Sequence, residues 1–169
     1  MNFLTLLTSV CIFCQVAHDW KLHRHESPGF LYYGPAKMEY KSKNIETSAG
    51  PVTYHTYYSS DVENNKKITF TVSYYSQPTE EAWVGEALDA LIDSSVRSLD
   101  GLLEYQDDVT LDGTPGKLWR ISLNEGKVKV KSKAFYKNGH YYIFQAIMVE
   151  DKAFDSRVDA FLDSVRWTG

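Results

Sequence analysis

The stretch from Lys117 to Val149, KLWRISLNEGKVKVKSKAFYKNGHYYIFQAIMV, predicts three successive antiparallel strands. Its middle part, Lys127–Ala134, alternates charged residues with small or apolar ones, which is the two-residue period of a strand. Asn138-Gly139 follows and favours a type I′ turn, because both central positions of that turn need a positive φ. The last part, Tyr141–Val149, is apolar at nearly every position, which is typical of a central strand.

Two turns set the register of these strands independently. A loop at Asn138-Gly139 places Ala134 opposite Ile143, and a loop at Glu125-Gly126 pairs the first strand with the lysine-rich one. A slip of one residue in either hairpin would move a whole set of side chains to the other face. Both registers place the same apolar residues on one face: Trp119, Ile121, Leu123, Val128, Val130, Ala134, Ile143, Ile147 and Val149.

The opposite face carries basic residues beside an apolar floor. Neighbouring lysines on one strand lie about 7 Å apart, so the repulsion between their ammonium groups in water is modest. Such a face suits an acidic protein partner or an anionic envelope polymer. The alternative is an edge strand or open face that lysine keeps soluble. The predicted binding residues are Phe144 and the five members of what we call the lysine row, namely Arg120, Lys127, Lys129, Lys131 and Lys133.

Length and composition indicate one globular domain. The chain has 169 residues, which suits a single domain with a proper core better than two. Its 24% of charged residues and 43% of hydrophobic residues are ordinary globular proportions, and they argue against a disordered chain or a coiled coil. The net charge of −4 makes a dedicated nucleic-acid binder an unfavoured interpretation.

Residues 1–17 predict a secretory signal peptide. Phe3–Val16 is mostly apolar and uncharged, and the small residue Ala17 follows it. The run is short for a membrane span, and both cysteines of the chain lie within it. No Lys or Arg precedes the run, so an uncleaved anchor or a buried segment is the alternative. We therefore expect a secreted or periplasmic protein whose mature chain, residues 18–169, has no transmembrane helix.

The remainder of the chain predicts more strands and two helices. Thr79 is a suitable helix cap followed by acidic residues, and apolar residues at helical spacing continue to Leu99 before Gly101. Asp151–Arg166 predicts a second helix. The expected fold is α+β, a mostly antiparallel sheet with a C-terminal three-strand meander, flanked by two helices. The other expected strands are residues 30–33, 38–41, 52–58, 68–75 and 102–111.

Histidines are the candidates for chemistry, but no nucleophile motif, phosphate-binding glycine loop or metal-ligand framework accompanies them. His23 and His25 share one side of a strand and could meet a metal, yet no further ligand follows at a suitable spacing, so a solvated strand is the favoured interpretation. We therefore expect no metal and no cofactor. A small hydrolase would use His55 or His140 as general base. Its acids would be Asp107, Asp108 or Asp112.

Four tyrosine doublets occur in the predicted strands, and in a strand each doublet places one ring on each face. They predict either an aromatic platform for sugars or peptides, or only the usual preference of strands for aromatic residues, which we favour. The doublets are Tyr32-Tyr33, Tyr57-Tyr58, Tyr74-Tyr75 and Tyr141-Tyr142.

Three motifs within residues 28–167 resemble the PsbP-like α/β/α sandwich class of exported bacterial proteins. They are the turn Gly113–Lys117, the hairpin Ala134–Tyr142 and the helix end Ala160–Val165. The resemblance implies that fold and a tendency toward non-catalytic partner binding, and it supplies no catalytic residues. We therefore expect an exported non-catalytic domain that binds a protein or envelope component. A small-molecule carrier with its ligand between helix and sheet, or a small hydrolase, is the alternative.

Overall fold

The computed structural model describes residues 20–47, 50–61, 68–149 and 155–168, so the predicted signal peptide lies outside the described residues. Within these ranges no helix has the length and hydrophobicity needed to cross a bilayer. The elements are β1 Trp20–His25, β2 Phe30–Pro35, β3 Glu39–Thr47, β4 Gly50–Asp61, β5 Ile68–Ser76, a 3₁₀ turn Glu81–Trp83, α1 Val84–Leu99, β6 Leu102–Leu111, β7 Thr114–Leu123, β8 Val128–Lys137, β9 His140–Val149, α2 Ser156–Asp163 and β10 Arg166–Trp167.

The strands form two antiparallel sheets rather than one. The large sheet has the order β3-β4-β5-β9-β8-β7-β6, and the small sheet has the order β1-β2-β10. The small sheet was not predicted, because its third strand is only two residues long and begins at Arg166, which the sequence assigned to the second helix. That helix ends at Asp163 instead of Arg166, and Trp167 pairs with Phe30 of β2.

The predicted registers of β7, β8 and β9 are the ones observed. Ala134 pairs with Ile143 across the Asn138-Gly139 turn, whose residues have φ values of 51° and 78°, as a type I′ turn requires. The other connection is a four-residue turn, 124–127, rather than a two-residue loop. It keeps Leu123 opposite Val128. The register therefore survives the longer turn.

Helix α1 covers the predicted apolar face of β7 and β8. It begins at Val84 after the 3₁₀ turn, and not at Thr79 as predicted. Thr79 does not cap the helix, because its backbone N–H donates to the Tyr136 hydroxyl at 2.8 Å and its own hydroxyl bonds that of Tyr141 at 2.8 Å. The buried residues of this interface are Val84, Leu88, Ile92, Trp119, Ile121, Val130, Ala134, Tyr141 and Ile143.

The small sheet and α2 cover the opposite face, which the sequence predicted to be an exposed surface. Phe144 has no exposed area, and its ring meets those of Phe30 and Phe161 edge-on at 5.8 and 6.4 Å. Asp155 caps α2 by accepting from the Arg157 N–H at 3.0 Å. The prediction of an exposed apolar floor is therefore wrong: β9 is apolar on both faces because both faces are covered. The main residues of this second core are Phe30, Tyr32, Ile68, Phe70, Val72, Phe144, Met148, Phe161 and Leu162.

Candidate binding surface

Lys129, Lys131 and Lys133 of the lysine row lie inside the large sheet and pair with carboxylates of the same chain. Their strand, β8, runs between β7 and β9, so the edge-strand explanation of these lysines is wrong. Lys131 Nζ lies 2.6 Å from Asp159 of α2, and Lys133 Nζ lies 2.6 Å from Asp163. The two lysine side chains are only 21% and 14% exposed, because their stems lie beneath the helix.

Glu104 binds two further members of the row. A β-bulge between Leu103 and Tyr105 inserts it into β6, and its carboxylate contacts Lys129 Nζ and, at 2.5 Å, Arg120 Nε. The hydrogen bond from Lys129, reinforced by Arg120, holds the pKa of Glu104 below its usual value. The row is thus largely neutralised from within the molecule.

The remaining members of the predicted surface have different surroundings. Lys127 is exposed in the β7–β8 turn and makes no ion pair with any described residue. Phe144 is fully buried and has no surface to offer a partner. Anion binding by the row stays a prediction, and an anionic partner would have to displace Glu104, Asp159 and Asp163.

Within the described part of the chain, no hydrogen bond or ion pair joins the candidate histidines to the candidate aspartates. His55 on β4 bonds the Tyr40 hydroxyl through Nδ1 at 2.8 Å, and His140 Nδ1 lies 2.9 Å from the Asn138 carbonyl. Asp107 and Asp108 lie on β6, and four strands separate β4 from β6, or about 24 Å at the usual strand spacing. The third acid, Asp112, lies in the turn that follows β6.

The histidines of β1 pack against aromatic rings. His23 stacks on Tyr32 at 4.8 Å, and His25 stacks on Phe30 at 4.7 Å and contacts Tyr57 at 4.6 Å. Burial lowers the pKa of both imidazoles. Within the described ranges no three His, Cys, Asp or Glu residues are grouped so that they could hold a metal ion.

A ladder of stacked rings crosses four neighbouring strands of the large sheet. Tyr40, His55, Tyr74 and Tyr142 follow one another at centroid distances of 6.1, 4.7 and 6.5 Å. The planes of successive rings are inclined by only 19°, 13° and 27°. Burial, with contributions from neighbouring tyrosines, raises the pKa of Tyr74 to about 12, so its hydroxyl stays protonated near neutral pH.

A second ladder lies on the other face of the same strands. Tyr54, Tyr75 and Tyr141 stack at 5.4 and 5.0 Å. The doublets of β5 and β9 thus place one ring on each face, as the sequence predicts. The stacking of His55 in the first ladder was not predicted. Its signal in the sequence is the pair Tyr54-His55, which places two neighbouring rings in a strand as the tyrosine doublets do.

The first ladder ends at an edge strand that is open to solvent. Strand β3 pairs with β4 alone, and every residue of it from Glu39 to Glu46 is exposed. Tyr40, the terminal ring of the ladder, keeps 53% of its surface exposed. Lys41 and Lys43 project from the opposite face of β3, because side chains alternate along a strand. The Lys41 ammonium lies 4.9 Å above the Tyr58 ring.

A cleft of about 390 Å³ opens beside the start of α1. If the protein carried a small molecule, this cleft would be the candidate site for it. Its walls are polar as well as apolar, and it lies between the first turn of α1 and the ends of β7 and β8. The lining residues are Thr79, Glu81, Val84, Thr114, Pro115, Tyr136, Lys137, Asn138 and Gly139.

Comparison with solved structures shows that the chain has a PsbP-like fold. It is similar to the solution structure of cyanobacterial PsbP (CyanoP) from Synechocystis sp. PCC 6803, with a TM-score of 0.56 and 11% identity over 91% of this chain and 96% of that one. A protein of unknown function from Pseudomonas aeruginosa, PA94, described as a putative regulator, matches with a TM-score of 0.40 and 11% identity over 78% and 84% of the two chains. No family model and no curated protein sequence matches the chain.

Proposed function

We propose that this protein is an exported, non-catalytic domain that binds an extended segment of an acidic protein along the free edge of β3. The observation that supports the proposal is the exposed, singly paired strand Glu39–Thr47 at the open end of the Tyr40 ladder. An unpaired strand edge presents a row of N–H and C=O groups to which another chain can add as a strand.

The side chains of β3 define what the added segment should look like. An aromatic residue opposite Tyr40 would extend the ring ladder by one step, and aromatic cross-strand pairs stabilise a sheet by about 0.2–1 kcal/mol. Acidic residues on the other face would meet Lys41 and Lys43.

Export is the second part of the proposal. The apolar run that ends at Ala17 supports cleavage before His18. Intact-mass measurement of the protein recovered from the extracytoplasmic fraction should give the mass of residues 18–169. Recovery there at the full-length mass would contradict cleavage.

Site-specific photo-crosslinking tests the partner surface. A benzophenone amino acid replaces Tyr40 in one variant and Leu102 in another, and both are expressed in the source cells. Leu102 is a matched control because it is 70% exposed and lies on β6, the opposite edge of the same sheet. The proposal predicts a covalent adduct with one acidic protein from position 40 and none from position 102.

Charge reversal on β3 completes the test. In the position-40 crosslinking variant, Lys41→Glu with Lys43→Glu should remove the adduct, whereas Lys127→Glu should leave it, since Lys127 is exposed in a distant turn. An adduct that both charge variants retain, or that forms equally from position 102, would contradict binding at β3.

A further inference from the structure

The outer face of the small sheet is a second exposed surface, separate from β3. On β2 the inward side chains are Phe30 and Tyr32, both fully buried, so Leu31 and Tyr33 point outward. Leu22 of β1 lies directly opposite Tyr33 in the register. Leu22 and Tyr33 are 58% and 44% exposed, so an aliphatic and an aromatic side chain lie side by side on this face.

Two arginines flank this apolar pair. Arg24 of β1 and Arg166 of β10 both lie opposite Leu31, so their side chains leave the sheet on the same outer face. Lys21 points to the other side of β1, with His23, because side chains alternate along a strand. The ion pair of Arg24 with Glu26 is solvent-exposed, with side chains 54% and 75% accessible, and it is therefore weak. The Arg166 guanidinium donates to backbone carbonyls and has no acidic partner among the described residues.

We propose that this face binds the surface of an anionic lipid bilayer. Leu22 and Tyr33 would enter the headgroup region, where apolar and aromatic side chains are stabilised. The basic residues around them would lie among anionic headgroups, and each contributes roughly a fivefold gain in membrane affinity.

The bilayer explains the pattern better than a protein partner does. The face combines one aliphatic and one aromatic side chain with two arginines, Arg24 and Arg166, and one exposed carboxylate, Glu26, on a molecule whose net charge is −4. A surface that concentrates positive charge on a negative molecule orients it toward an anionic plane. The proposal is independent of the strand edge at β3, because the two surfaces share no residue.

Vesicle co-sedimentation tests the inference with the intact protein as recovered from its source compartment. Vesicles of phosphatidylcholine with about a third phosphatidylglycerol are compared with pure phosphatidylcholine vesicles at two salt concentrations. Binding should require the anionic lipid and weaken with salt. The Arg24→Glu, Arg166→Glu double variant should bind anionic vesicles at least tenfold more weakly, and Leu22→Ser with Tyr33→Ser should show a comparable loss.

Matched controls separate this face from general charge and from the N-terminal segment. Arg97→Glu with Lys127→Glu makes the same change in net charge elsewhere, and Leu102→Ser removes an equally exposed apolar residue on β6. Both controls should bind like the unchanged protein. Unchanged binding of the two face variants, equal losses in the controls, or no binding to anionic vesicles at all would overturn the inference. Melting temperatures measured for each variant ensure that only folded proteins are compared.

Discussion

At the residue scale, the same side chain acts differently according to what the fold brings to it. Lys127 and Lys129 are two positions apart and belong to the same alternating pattern in the sequence. Lys127 is nevertheless exposed, whereas the Lys129 side chain is only 12% exposed and forms an ion pair with Glu104. The predicted lysine spacing was correct, but the paired carboxylates of Glu104, Asp159 and Asp163 lie far away along the chain. Periodicity reports the face on which a residue lies and not what covers that face.

His25 should make stability depend on pH. Its imidazole is half-buried against Phe30 and Tyr57, and its Nε2 atom is buried without a hydrogen-bond partner among the described residues. Because burial lowers the folded-state pKa below 6.5, the unfolded chain binds more protons as the pH falls through that value, and the folded state loses stability. His25→Phe keeps the ring and removes the proton site. Urea titrations at pH 7.5 and 5.5 should therefore show a smaller loss in the variant; equal losses would contradict this assignment.

Truncation of two isoleucines on β9 tests the depth of the core beneath α1. Ile143 is 4% exposed, so Ile143→Ala should lower the free energy of unfolding by about 2–5 kcal/mol. Ile147 is half-buried at the margin of that core, and Ile147→Ala should cost less. The exposed Lys127→Ala serves as control and should change stability by less than about 0.5 kcal/mol. Equal losses in the two isoleucine variants, measured by urea titration, would contradict the placement of α1.

At the element scale, local signals predicted the hairpins well and the small sheet not at all. The Asn138-Gly139 turn and the alternation of side chains along β7 and β8 determine how these strands pair. Both signals come from residues close together in the sequence, so the pairing could be predicted. Strand β10 has two residues, and its pairing with β2 joins the two ends of the chain. The apolar period of α2 runs on into Val165, which concealed the end of the helix at Asp163.

A charge swap tests whether the lysine row holds α2 to the sheet. Lys133→Glu and Asp163→Lys should each destabilise the protein, by about 1 kcal/mol or less, because the carboxylate of the pair is exposed. The double variant restores an opposite pair and should recover most of the loss. Urea titrations of all four proteins measure the coupling. Additive losses would show that the two side chains do not interact.

At the scale of the whole molecule, the two faces of the large sheet have different covers. Helix α1 packs on β7 and β8, and the small sheet with α2 covers the other face. Neither α1 nor the small sheet with α2 covers strand β3, which lies at the edge of the large sheet. The sequence could not show this, because strand order depends on pairings between distant segments. The sequence shows the tyrosine doublets but not the aromatic ladder. Stacking between strands can be predicted only when the order of the strands in the sheet is known.

Amide hydrogen exchange of β3 tests the proposed partner site most directly. The probe is the acidic segment captured by crosslinking at Tyr40, and exchange is followed by NMR for each residue of Glu39–Thr47 with and without it. Along an edge strand alternate N–H groups point outward. Binding along this edge therefore predicts slower exchange at every second amide of β3 and little change along β6. Unchanged exchange throughout β3, together with slowing on any other surface of the molecule, would contradict the central claim.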